Sequence, residues 1–136
     1  MAALTGITAV RPTVTTRSAQ ALLGATISAG QTLYTDSADA KRKLCDANST
    51  AAIGALTGLA MTPGIDAGYG LVATSGSVIL VGTTMAVGTT YFVGQTAGSI
   101  VPHGDLTTGD YVSRLGTATT TTEMLLSIEA TGIVHA

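Results

Sequence analysis

Residues Leu71 to Val93 read LVATSGSVILVGTTMAVGTTYFV, and the choice between a membrane helix and a set of strands turns on them. The stretch carries no charged residue and is long enough to cross a bilayer, which takes about 20 predominantly apolar residues in a helix. Ten of its 23 residues, however, are Thr, Ser or Gly, clustered at Thr74-Ser75-Gly76-Ser77, Gly82-Thr83-Thr84 and Gly88-Thr89-Thr90. Turn-forming residues every five or six positions cut the run into short segments rich in Val, Ile and Leu. The stretch therefore reads as strands, and no membrane partner is expected.

The same pattern extends outward on both sides. Strands are predicted near Ala25–Ser28, Thr32–Thr35, Lys43–Cys45, Ile53–Met61, Tyr69–Ala73, Ser77–Val81, Thr90–Val93, Ser99–Val101, Asp110–Gly116 and Met124–Glu129. Asn48-Ser49-Thr50 could cap a helical turn through Ala51-Ala52, but Gly54 and Gly58 oppose its continuation. The fold class expected is all-β: a small compact barrel or sandwich with little helix. Ser28-Ala29-Gly30-Gln31-Thr32-Leu33-Tyr34 is echoed by Met85-Ala86-Val87-Gly88-Thr89-Thr90-Tyr91-Phe92. With no fixed period extending the match, the echo reads as one turn chemistry used twice: a glycine free to take positive φ, then an aromatic covering the next strand.

Residues 1–23 differ from the β-domain expected over residues 24–136. Pro12 and a run of Thr oppose a helix there, while Leu4, Ile7, Val10 and Val14 are spaced apolar side chains and Arg11 and Arg17 the only charges. An extended arm lying along another surface fits this pattern; a frayed terminus is the alternative.

Composition narrows the function. Thr, Ser, Gly and Ala make up 53% of the 136 residues, charged residues 10% and aromatics 4%, and Trp is absent. Ile, Leu, Val and Phe still supply 24%, above the roughly 20% below which disorder is expected, so the chain can build a core. Six basic residues and a net charge of −2 leave no nucleic-acid footprint. So few charges imply that much of the surface meets other protein. Six of the fourteen charges fall in Asp36–Asp46 (DSADAKRKLCD), which reads as a solvated loop or hairpin. The opening MAALTGITAV lacks the pattern of a secretory leader, so none is expected.

Nothing in the sequence assembles an active site. His103-Gly104-Asp105 sets an imidazole near a carboxylate, the pairing that a general base needs, but Pro102 and Gly104 make a turn the simpler reading. Cys45 follows three cations that could lower a thiol pKa, yet it sits after Leu44 in an expected strand, where a free Cys is usually a small buried hydrophobe. One Cys and two His cannot form an ordinary four-ligand zinc site without carboxylates. P-loop and dinucleotide-binding glycine patterns are missing. No enzyme activity, catalytic residue, metal or cofactor is expected.

Four stretches carry a resemblance: Gly24-Ala25-Thr26-Ile27-Ser28-Ala29-Gly30-Gln31-Thr32-Leu33-Tyr34, Lys43-Leu44-Cys45-Asp46-Ala47-Asn48, Ala86-Val87-Gly88-Thr89-Thr90-Tyr91 and Gly109-Asp110-Tyr111-Val112-Ser113-Arg114-Leu115-Gly116-Thr117-Ala118. In them the chain resembles the small capsid decoration (cement) proteins of tailed bacteriophages, over about residues 24–129. The resemblance implies a virion protein, made in the host cytoplasm, on the outer surface of the expanded head. There it would bridge subunits of the major capsid protein, as a homotrimer. The arm residues Leu4, Ile7, Val10, Arg11, Val14 and Arg17 are the expected capsid contacts, adding a strand to an exposed edge or filling a groove. The alternative is a trimeric fibre or spike domain for a host receptor or glycan, which requires an exposed aromatic or acidic pocket.

Overall fold

The computed structural model describes residues 3–136. Ten strands form one strongly curled sheet: β1 (Ala9–Pro12), β2 (Arg17–Leu22), β3 (Thr32–Thr35), β4 (Arg42–Leu44), β5 (Gly58–Ala60), β6 (Tyr69–Val81), β7 (Thr90–Val93), β8 (Ile100–Pro102), β9 (Tyr111–Ala118) and β10 (Glu123–Val134). A 3-10 turn, His103–Asp105, follows β8. The fold is all-β, a half-barrel, and among the described residues no helix is long and apolar enough to cross a membrane.

The main path runs β4-β3-β5-β6-β10-β9-β7-β8, with every pairing antiparallel. β6 joins its two halves. On one side it pairs with β5 through Val72 and Ala73 and then with β10 through Gly76 to Ile79. Along the other side run β2, from Leu22↔Tyr69 to Arg17↔Ser75, and β1, from Pro12↔Val78 to Ala9↔Val81. The expected strands Tyr69–Ala73 and Ser77–Val81 are thus one strand. Thr74-Ser75-Gly76-Ser77 bends it without ending it, because Gly76 takes φ +84° where β1 passes to β2.

Two apolar cores fill the curl. The larger contains Val10, Leu59, Val78, Leu80, Tyr91, Val93, Leu115 and Met124; the smaller contains Leu23, Ile27, Leu33, Ala60 and Val72. β6 supplies both: adjacent Val72 and Ala73 face the smaller and the larger core, and beyond the bend Val78 and Leu80 belong to the larger. The echoed turns behave as read: Gly30 (φ +88°) and Gly88 (φ +81°) precede β3 and β7, whose Tyr34 and Tyr91 are buried. The Tyr91 hydroxyl accepts the Ala86 N–H at 3.1 Å.

Other expectations shift. Ala25–Ser28 is no strand and contributes only the Ile27↔Gly64 bridge. Of Ile53–Met61 only Gly58–Ala60 is strand, whereas residues 51–54 do form a single short turn capped by Thr50, whose hydroxyl accepts the Ile53 N–H at 3.2 Å. The charged segment is the β3–β4 hairpin, as expected. Lys43 Nζ lies 2.6 Å from Asp36 and 3.3 Å from Asp39, which holds the Asp36 carboxyl below its ordinary range and raises the lysine.

The N-terminal segment is extended, and the surface it lies along is the chain's own sheet. Leu4 N–H donates to the Ile100 carbonyl on β8 (2.9 Å), and Gly24 N–H donates to the Arg42 carbonyl on β4 (2.8 Å). β8 and β4 are the two ends of the main path, so residues 4–24 tie each end back toward the long central strand.

Candidate functional site

The six expected contact residues divide by side. Val10 is buried, and Leu4 and Ile7 are partly buried against the larger core. Their side chains serve the chain's own packing, which departs from an arm wholly given to a capsid. Arg11, Val14 and Arg17 point the other way and are exposed; Val14, at the tip of the β1–β2 turn, has its side chain entirely in solvent. The turn beneath it is well held. The Thr13 hydroxyl donates to the Ser77 carbonyl at 2.9 Å, the Thr16 hydroxyl donates to the same carbonyl, and Ser77 N–H donates to the Thr15 hydroxyl at 3.0 Å. A rigid mount presents one fully exposed valine between two arginines.

Sequence reasoning missed the apolar surface beyond β2. Ile65, Tyr69 and Leu71 are exposed, with Tyr69 and Leu71 two apart on β6 and therefore on one face. Across from them stand Leu22 and Gln20 of β2. The alternation at Tyr69-Gly70-Leu71-Val72 was the available signal, but it reads as half-buried strand whichever face meets solvent.

The expected chemical candidates do not combine. His103 is exposed on the 3-10 turn, and its neighbours are rings: Phe92 at 5.7 Å and His135 at 5.8 Å between centroids. The Gln95 amide donates to the Asp105 backbone carbonyl at 2.7 Å and to the Asp110 carboxylate at 2.5 Å. Asp110 is buried and also accepts the Thr107 N–H (2.8 Å) and hydroxyl (3.1 Å), so it clamps the loop before β9. Cys45 is fully buried and donates to the Ile53 carbonyl at 3.1 Å; desolvation pushes its thiol up to about 12. A thiol held so far above neutrality has almost no nucleophilic thiolate. The native protein should therefore leave Cys45 unmodified by a thiol-specific disulfide reagent at pH 8, with one thiol per chain released on addition of denaturant. Rapid labelling of the folded protein would contradict this burial.

A groove of about 600 Å³ crosses the outer side of β7, β9 and β10, lined among others by Phe92, His103, Arg114, Thr117, Ser127 and Glu129. Arg114 donates through Nε to the Ser127 carbonyl (2.9 Å) and pairs with Glu129 at 3.3 Å, so the guanidinium is fixed across the strands. Among the described residues, no cluster of three or more His, Cys, Asp or Glu side chains could hold a metal. What the arrangement offers chemically is a half-polar surface with an aromatic wall and one ion pair.

Comparison with known proteins identifies no family: neither protein-family models nor curated proteins return a match to this chain.

Proposed function

We propose that the protein is a structural component of a tailed-phage virion, binding the outside of the expanded head as a homotrimer and bridging neighbouring subunits of the major capsid protein. The reading rests on the resemblance given above. The observation that carries it is the outward side of β1 and β2, where Arg11, Val14 and Arg17 stand exposed on a well-bonded turn. An apolar tip flanked by two cations suits a mildly acidic protein surface with a small apolar recess. Many weak contacts of this kind on one lattice reinforce each other through avidity.

The test is co-sedimentation with expanded, undecorated heads. The wild-type protein should bind saturably at a fixed ratio to capsid subunits. The double variant Val14→Asp, Arg17→Glu should bind at least about tenfold more weakly while its Tm stays within about 2 °C, because both side chains lie outside the core. Wild-type protein that ignores the heads would sink the reading; equal binding by the variant would move the contact elsewhere.

The groove bounded by Phe92, His103, Arg114 and Glu129 favours the second reading, a fibre or spike domain that binds glycans. An aromatic wall beside a fixed Arg–Glu pair can stack a sugar ring and engage neighbouring hydroxyls. That reading expects saturable binding to cell-surface glycans, lost in Phe92→Ala, and no binding to heads.

A further inference from the structure

The chain has two histidines, 32 positions apart in sequence, and the fold brings them side by side. His103 lies on the 3-10 turn after β8, and His135 just beyond the end of β10. The backbone fixes both. The His103 carbonyl accepts the Leu106 N–H at 3.1 Å, closing its turn. His135 makes a reciprocal pair with the loop before β9, its N–H donating to the Asp110 carbonyl (2.7 Å) and its carbonyl accepting the Gly109 N–H (2.9 Å). Phe92 packs edge-on to the His103 ring and limits its rotation.

The rings are 5.8 Å apart between centroids and tilted by 52°, too far and too inclined for stacking. A zinc-like ion holds an imidazole nitrogen at about 2.0–2.1 Å, which puts the ring centre roughly 3.2 Å from the metal. Two rings meeting at one such ion at roughly 110–130° have centroids roughly 5.2–5.8 Å apart. The observed separation falls at the upper end of that range. A second observation points the same way: His135 Nδ1 is buried and has no hydrogen-bond partner in the chain. A buried ring nitrogen without a partner is costly unless something occupies its lone pair or takes its proton.

We propose that His103 and His135 together bind one divalent late-transition-metal ion, of the zinc or nickel class, in a two-histidine site that pins the end of β10 to the 3-10 turn. Imidazole selects these ions over magnesium and calcium, which prefer oxygen ligands. The site differs from the four-ligand structural centre that the composition excludes. With no third side-chain donor among the described residues, its remaining positions go to water on the exposed His103 side, so binding is exchangeable. The pin acts where β10 is paired on one side only: it pairs with β6 as far as Leu126, and from Glu129 to Val134 it has β9 alone. The inference is independent of the capsid reading.

The experiment is isothermal titration of tag-free protein with zinc chloride and, separately, nickel chloride at pH 7.5, with magnesium as control. One ion per chain should bind, magnesium should give no heat, and His103→Gln and His135→Gln should each weaken binding at least tenfold. At zinc concentrations about a hundredfold above Kd the wild-type Tm should rise by about 7–13 °C, reversibly with EDTA, and amide exchange at residues 131–135 should slow. Each variant should keep the metal-free wild-type Tm within a few degrees, so loss of binding reports on the site and not on unfolding. No saturable binding, one ion shared by two chains, or wild-type affinity in either variant would overturn the proposal.

Discussion

Removal of residues 1–23 is expected to abolish cooperative folding. The segment supplies Val10 and Leu23, 7% and 1% exposed, and packs Leu4 and Ile7 against the larger core. Full burial of such a side chain contributes about 1.5–3 kcal/mol. The same cut removes every rung that β1 and β2 make with β6, leaving one side of that 13-residue strand unpaired. It also removes the Leu4 tie to Ile100 and the Leu23 bridge to Arg42, and leaves the Gly24 tie at a free chain end. The combined loss reaches the whole of a typical domain stability, about 5–15 kcal/mol. Differential scanning calorimetry should show no sharp transition for the truncated chain, and it should bind a hydrophobic dye at neutral pH. A cut after residue 5, losing the Leu4 tie and its partial packing, should lower Tm by several degrees and keep the transition. A truncated chain that melts like the full protein would show that the N-terminal strands are an appendage.

This result bears on how function can be tested. Deleting the segment cannot separate capsid contact from folding, because one side of it is core. Point substitutions on the other side can, since Arg11, Val14 and Arg17 have no share in the packing.

The same segment marks the limit of what the sequence disclosed. Pro12 and the Thr run correctly excluded a helix, and the spaced apolar residues correctly implied a surface to lie on. Which surface was not legible. An edge strand writes the same alternation whether its partner is its own β6 or another chain, because the backbone bonds that decide carry no side-chain signature. Elsewhere short β-prone runs between turn residues located β3, β4, β7, β8 and β9 to within two residues and the start of β10, while its last five residues were missed. Ala25–Ser28 failed because a single buried residue, Ile27, with one bridge satisfies it without a ladder. The groove and the histidine pair were invisible for a different reason. Phe92, His103, Arg114, Glu129 and His135 come from four separate segments, and only the register of β7, β9 and β10 brings them together.

The turn cluster Thr74-Ser75-Gly76-Ser77 shows how a correct local signal can carry the wrong conclusion, and it holds the second large expected effect. Its residues do mark a break in regular geometry, but the break is a bend within β6 where the strand leaves β5 and takes up β10. Gly76 stands at that bend with φ +84°, paired to Leu126, and a Cβ built there would run into the carbonyl of Thr15. Gly76→Val therefore combines two penalties. The left-handed backbone costs an L residue about 1–2 kcal/mol, and more when β-branched. The collision is with backbone, so the β1–β2 turn must move and loosen the hydrogen bonds to Ser77. Together these should cost about 4 kcal/mol, seen as a fall in Tm of about 10–20 °C. Gly76→Asn, whose side chain tolerates positive φ but still brings a Cβ, should fall between. Gly104→Ala is the control: no atom lies within 4 Å of a Cβ there and its φ is not in the left-handed region, so Tm should stay within about 2 °C. If Gly76→Val melts with the wild type, the bend is not what joins the two halves of the sheet.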